Sequence, residues 1–128
     1  MAEHDPGYAV TAPAVRLRAD VDEAQAVVYA AVDDAGHEVG MAAAGVSRDV
    51  GGPTDWELYT VNVVAGQRGT GLADALLAAT LGGRAASVWV LVSNARARGF
   101  YRRHGFTADG ARRIHAGSGE PEIRLVRA

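Results

Sequence analysis

The sequence predicts an α+β domain, a mixed and mostly antiparallel central sheet flanked by helices. Three observations carry this reading. Period-two alternation of apolar and polar residues marks half-buried strands at residues 14–19 and 56–64. A helical face runs through Leu72, Ala75, Leu76 and Ala79. Val88-Trp89-Val90-Leu91-Val92 is a continuous apolar run between polar neighbours, the pattern of a strand buried on both faces. Strands, a helix, a strand, a helix and a closing strand pair, in that order, fit a sheet with helices packed on it. At 128 residues the chain is expected to be one domain, 1–128.

Each element has its own signal. Residues 1–13 mix Pro6, Gly7 and Pro13 with charges and no period, and are read as a tail. Ala14 to Ala19 sets Val15, Leu17 and Ala19 against Arg16 and Arg18, a short strand suited to a sheet edge. Asp20-Val21-Asp22-Glu23 has the look of a helix capping box. The Val- and Tyr-rich stretch Ala26 to Val32 nevertheless favours a strand, and Asp33-Asp34-Ala35-Gly36 a hairpin turn. Glu38 to Ser47 is its partner, although Ala42-Ala43-Ala44 is weak in strand propensity. A loop with Gly51, Gly52 and Pro53 leads to the strand from Trp56, which ends at Ala65-Gly66. The helix Gly71 to Leu81 stops at Gly82-Gly83, the strand Ser87 to Val92 is expected to be central, and the helix Ala95 to His104 stops at Gly105. Gly110 to Ile114 and Glu122 to Val126 form the closing hairpin.

Composition removes whole classes of chemistry. All 13 basic residues are Arg, which excludes a lysine Schiff base and the lysine of a Walker phosphate loop. With no Cys there is no thiol nucleophile, disulfide or cysteine-ligated zinc; the composition fits a reducing compartment, and a cytoplasmic location is expected. A net charge of −2 gives no electrostatic case for nucleic acid or an anionic membrane, and no run of about 18 apolar residues predicts a span. His4, His37, His104 and His115 lack metal-ligand spacing, so no metal is assigned. Hydrophobic residues make up 48% of the chain, but 26 residues are Ala, so the core is lean.

Two stretches carry chemistry. Arg68-Gly69-Thr70-Gly71-Leu72-Ala73 lies between a strand and a helix. Glycines there let backbone N–H groups turn toward one point, and the helix N-terminus adds partial positive charge, which suits a phosphate or pyrophosphate. The same glycines also suit a plain tight connection. A dinucleotide fingerprint would need Gly where Asp74 stands. The second stretch runs from Asn94 to Phe106, with Asn94 and Tyr101 two helical turns apart and able to share a face.

Together these stretches resemble the GNAT superfamily of acetyl-CoA-dependent N-acetyltransferases. Arg68, Gly71 and Ala73 match its Q/R-x-x-G-x-G/A pyrophosphate motif, and Asn94 to Phe106 match N-x-x-A-x-x-F-Y-x-x-x-G-F. The likeness spans roughly Val27 to Phe106. It implies a GNAT-like fold, acetyl-CoA as cosubstrate and an unknown amine as acceptor. The backbone of Val61, Asn62 and Val63 would pair with the pantetheine arm. Gly69, Thr70, Gly71, Leu72, Ala73 and Asp74 would hold the pyrophosphate with Arg68 alongside. Asn94 would contact pantetheine and Tyr101 would protonate the departing thiolate. Arg96, Arg98, Arg102 and Arg103 are read as a solvated helix face, with a contact from Arg98 or Arg102 to a cofactor phosphate as the alternative. Glu57 is the candidate base if it faces the cleft, and otherwise a solvated carboxylate at a strand end. A water chain or the substrate itself is the other route for the amine proton.

Departures from the family pattern bear on the acceptor. Family members place a strand and two helices before the hairpin at Ala26 to Ser47, whereas only residues 1–25 precede it here. The acceptor pocket is therefore expected to be reduced, completed by another subunit such as the second copy of a homodimer, or absent. Ala65-Gly66 also replaces a common proline-containing turn. These departures sustain two other readings: a noncatalytic acyl-CoA-binding or regulatory module, and a partner domain that docks through an exposed sheet edge.

Overall fold

The computed structural model describes residues 15–22 and 26–128, the side chains of residues 20–22 excepted. The strands are β1 (Val15–Asp22), β2 (Ala26–Asp33), β3 (Glu38–Val46), β4 (Trp56–Val63), β5 (Ala86–Leu91), β6 (Thr107–Ile114) and β7 (Pro121–Arg127). The helices are α1 (Leu72–Leu81) and α2 (Ala95–Arg103). Strands and helices follow in the predicted order, and the fold class is the predicted one. The tail assigned to residues 1–13 and the Glu23 end of the capping box lie outside the described residues.

The chain divides into two compact units: Met1–Val46 with Leu58–Gly83, and Ser47–Glu57 with Arg84–Ala128. In the first, the strand order is β1-β2-β3-β4. β1 pairs antiparallel with β2 from Val15↔Asp33 to Asp22↔Ala26. Asp20, Val21 and Asp22 are therefore strand residues, which corrects the capping box: cross-strand pairing decides over a local helix-start signal. β2 and β3 pair antiparallel with a bulge between Ala31 and Val32. Leu17, Ala31, Val39, Ala42, Leu72, Ala75 and Leu76 form the core, with Val61 and Val63 packed against it. Ala42 and Ala44 are fully buried, so the alanines that weaken strand propensity here leave room for α1 to pack on the sheet. Gly40 serves the same closeness. A Cβ there would lie 3.1 Å from the Asn62 carbonyl oxygen and 3.2 Å from Leu76.

In the second unit the strand order is β5-β7-β6, both pairings antiparallel. β5 buries Ala86, Ser87, Val88 and Val90, while Trp89, Leu91 and, past its end, Val92 are only partly buried, so the apolar run is fully buried on one face and not on both faces as predicted. β6 begins at Thr107, three residues earlier than predicted, with an irregularity between Ala108 and Arg112. Trp89 of β5 is held from several sides. Its indole N–H donates to Asp49 at 2.8 Å, and the guanidinium carbons of Arg113 and Arg124 lie 4.3 and 5.4 Å from its ring centroid. Among the described residues no helix is long and apolar enough to cross a membrane.

Candidate active site

In the first unit β4 gives way to a 3₁₀ turn, Ala65–Gln67, and then to the loop that precedes α1. Successive i→i+3 bonds tighten it: Gln67 N–H to Val64 O, Arg68 N–H to Ala65 O and Thr70 N–H to Gln67 O. Gly69 and Gly71 then adopt φ of +78° and +88°, left-handed conformations that cost an L side chain about 1 kcal/mol or more. Thr70 faces inward. Its hydroxyl donates to the Gln67 carbonyl at 2.6 Å and accepts from the Leu72 N–H at 3.3 Å.

This geometry sorts the predicted pyrophosphate residues. The N–H groups of Gly69, Gly71 and Ala73 donate to no group among the described residues, and two of them lie at the N-terminus of α1. Unsatisfied amides at a helix start are donors for an anion. Thr70 lends its side chain to the loop itself, and Leu72 is fully buried in the core. Asp74, in the first turn, places a carboxylate where the helix dipole favours one. Arg68 is exposed beside the loop. Val61 and Val63 turn their side chains to the core, while exposed Asn62 donates to the Thr60 hydroxyl at 2.7 Å.

In the second unit Asn94 caps α2, its side-chain oxygen accepting the Ala97 N–H at 3.0 Å. With that oxygen engaged, the amide NH₂ is the part of Asn94 that can donate outward. Tyr101 is the buried residue of α2, 6% exposed, with its ring edge-on to Phe100 and Phe106 at 5.5 and 5.8 Å. Burial pushes its phenol up to about 12. Arg98, read from the sequence as part of a solvated helix face, is partly buried and donates from Nε to the Val92 carbonyl at 2.8 Å.

Glu57 is neither solvated nor at a frayed end. It is 2% exposed, and Arg48 holds both its oxygens: the backbone N–H reaches Oε1 at 2.8 Å and the guanidinium reaches Oε2 at 2.9 Å. A buried carboxylate requires such a partner. The reading as a solvated carboxylate is thereby corrected. Arg48 carried no signal in the sequence, because nine positions and a glycine-containing loop separate it from Glu57. Asp49, the next residue, bonds both Trp89 and Arg124, so the loop after β3 is stitched at its base.

Comparison with known proteins adds a family to this geometry. Residues 24–108 match the family model for the acetyltransferase (GNAT) domain. No curated protein sequence matches the chain. Among solved structures, a GNAT-family protein from Desulfovibrio desulfuricans is 25% identical with a TM-score of 0.63, covering 80% of this chain and 68% of its own. Nourseothricin acetyltransferase is 20% identical with a TM-score of 0.67, covering 90% and 84%. Arabidopsis thaliana Naa50, in complex with the bisubstrate analogue CoA-Ac-MVNAL, is 18% identical with a TM-score of 0.61, covering 79% and 72%. The last two share the fold; the family model, spanning well over half the residues and both motif stretches, makes this chain a member of the GNAT acetyltransferase family.

Proposed function

We propose that this protein is an N-acetyltransferase that passes the acetyl group of acetyl-CoA directly to a primary amine of a small molecule, a peptide or a protein. The observation that carries the proposal is the loop before α1, where the N–H groups of Gly69, Gly71 and Ala73 have no acceptor among the described residues. Three main-chain donors, two of them at a helix start and one in the loop before it, suit a pyrophosphate. The structural relative bound to a CoA-containing analogue supports the same cosubstrate. The site of action proposed is the cytoplasm.

Apart from that of Glu57, the remaining roles are those the family resemblance implies, and the chemistry of the groups is compatible with them. The backbone of Val61, Asn62 and Val63 lines the pantetheine arm, and Asn94 donates its amide NH₂ to it. As the amine nitrogen attacks the thioester carbon, negative charge grows on the carbonyl oxygen and then on the departing sulfur. Tyr101, which burial keeps neutral, supplies the proton to that sulfur. The amine sheds its own proton to Glu57, directly or through water. Arg48 occupies one acceptor position on each Glu57 oxygen, and a carboxylate has about four.

Calorimetry with acetyl-CoA, followed by free-thiol release with pooled primary amines, tests the proposal. Tyr101→Phe is expected to bind acetyl-CoA as the wild type does and to lose roughly 100-fold in kcat. No binding by the wild type would sink the acetyl-CoA reading. Binding without release from any amine pool would favour a noncatalytic acyl-CoA-binding module, a second reading to which the tight pairing of Glu57 with Arg48 lends weight.

A further inference from the structure

Val92, Ser93 and Asn94 connect β5 to α2, and, besides the turn's own backbone bonds, three contacts hold it to residues outside it. The Val92 N–H donates to the Pro121 carbonyl at 3.0 Å, the Ser93 hydroxyl to the Glu120 carboxylate at 3.1 Å, and Arg98 Nε to the Val92 carbonyl at 2.8 Å. The third is unlike the others. Arg98 is the fourth residue of α2, close to the end where the helix dipole disfavours a cation, and no acidic residue in the first turn offsets it. Its side chain is partly buried and turned back six positions to a carbonyl that lies past the end of the strand. A charge-assisted bond of this length contributes more than a neutral one.

The effect falls on Asn94. Its own N–H donates to Leu91 O at 3.0 Å and its side-chain oxygen takes the Ala97 N–H, so the direction of its remaining NH₂ depends on the shape of the turn. We infer that Arg98 is a positioning residue: by holding the Val92 carbonyl it fixes the turn so that Asn94 presents its amide to the pantetheine arm. This rests on the function proposed above. This role is distinct from a phosphate contact, since it uses Nε toward the protein's own backbone and leaves both Nη groups outside the bond.

The test separates the two roles by using S-acetylpantetheine, which lacks the nucleotide and its phosphates, beside acetyl-CoA. Arg98→Met is expected to raise KM for both donors by about tenfold, the loss of one hydrogen bond to a charged group, with kcat changed less than about twofold. Arg98→Lys, which keeps one charged donor, should recover part of the loss. Arg96→Met, on an exposed neighbour, should leave both donors unaffected. In the protein without donor, amide exchange at Ala97 should quicken in Arg98→Met while the melting temperature stays within a few degrees. A loss confined to acetyl-CoA would overturn the inference in favour of a phosphate contact, and unchanged KM for both donors would overturn it outright. If the wild type uses neither donor, the proposed function fails with its cofactor role, and the exchange rate at Ala97 alone decides whether Arg98 holds the turn.

Discussion

Tyr101 shows what one buried side chain commits the protein to. The motif from Asn94 to Phe106 marked it in the sequence, and helical spacing put it on a face, but its packing between Phe100 and Phe106 and the resulting rise of its phenol to about 12 needed three dimensions. A phenol whose folded value lies above its ordinary 10 holds its proton more tightly folded than unfolded. Its contribution to stability is therefore complete below pH 10 and lost as pH rises from 10 to about 12. Denaturant melts over this window should show the wild type losing roughly 2–3 kcal/mol that Tyr101→Phe does not lose. Parallel curves for the two proteins would contradict the burial argument. Glu57 marks the opposite limit of legibility. Alternation gave its strand, but nothing in Ser47 to Asp55 announced that Arg48 would fold back to cover it.

The elements were legible wherever one period dominated. α1 buries Leu72, Ala75 and Leu76 as its periodicity predicts, and extends the buried stripe to Leu77 and Leu81. The less legible places are those where local preference and long-range pairing disagree, such as residues 20–22 and the alanines of β3. The β2–β3 hairpin shows local chemistry agreeing with pairing. Asp33 Oδ1 accepts the N–H groups of Ala35 and His37 at 3.0 and 2.9 Å, and the hydrogen bond from the His37 backbone is the main cause holding its carboxyl below the ordinary 3.8. A lowered value means that the stabilisation is present above 3.8 and lost as pH falls through the folded value. Asp33→Ala should melt below the wild type at neutral pH, and the gap should close on acidification under pH 4 or so. A gap independent of pH would mean that the turn does not depend on the ionised carboxylate.

Across the whole molecule all 13 Lys or Arg positions are arginine, and no thiol is present. No lysine side chain competes with an added amine, and no cysteine can carry an acyl group. Direct transfer therefore predicts that the intact mass of the chain gains no acetyl group from side-chain chemistry during turnover, while the acceptor does. A stoichiometric acetylated chain that decays on adding amine would refute it. The family was legible because the two motifs that carry the resemblance are contiguous stretches, residues 68–73 and 94–106. The acceptor was not, because no such contiguous motif marks it. The loop before α1 also has a consequence for how such proteins are probed. Its donors at Gly69, Gly71 and Ala73 belong to the main chain, so a scan that trims side chains passes over them. Such a scan would register the supporting hydroxyl of Thr70 and overlook what that hydroxyl supports. The informative change at Gly69 or Gly71 adds atoms instead of removing them, because the proposed recognition is encoded in the path of the backbone.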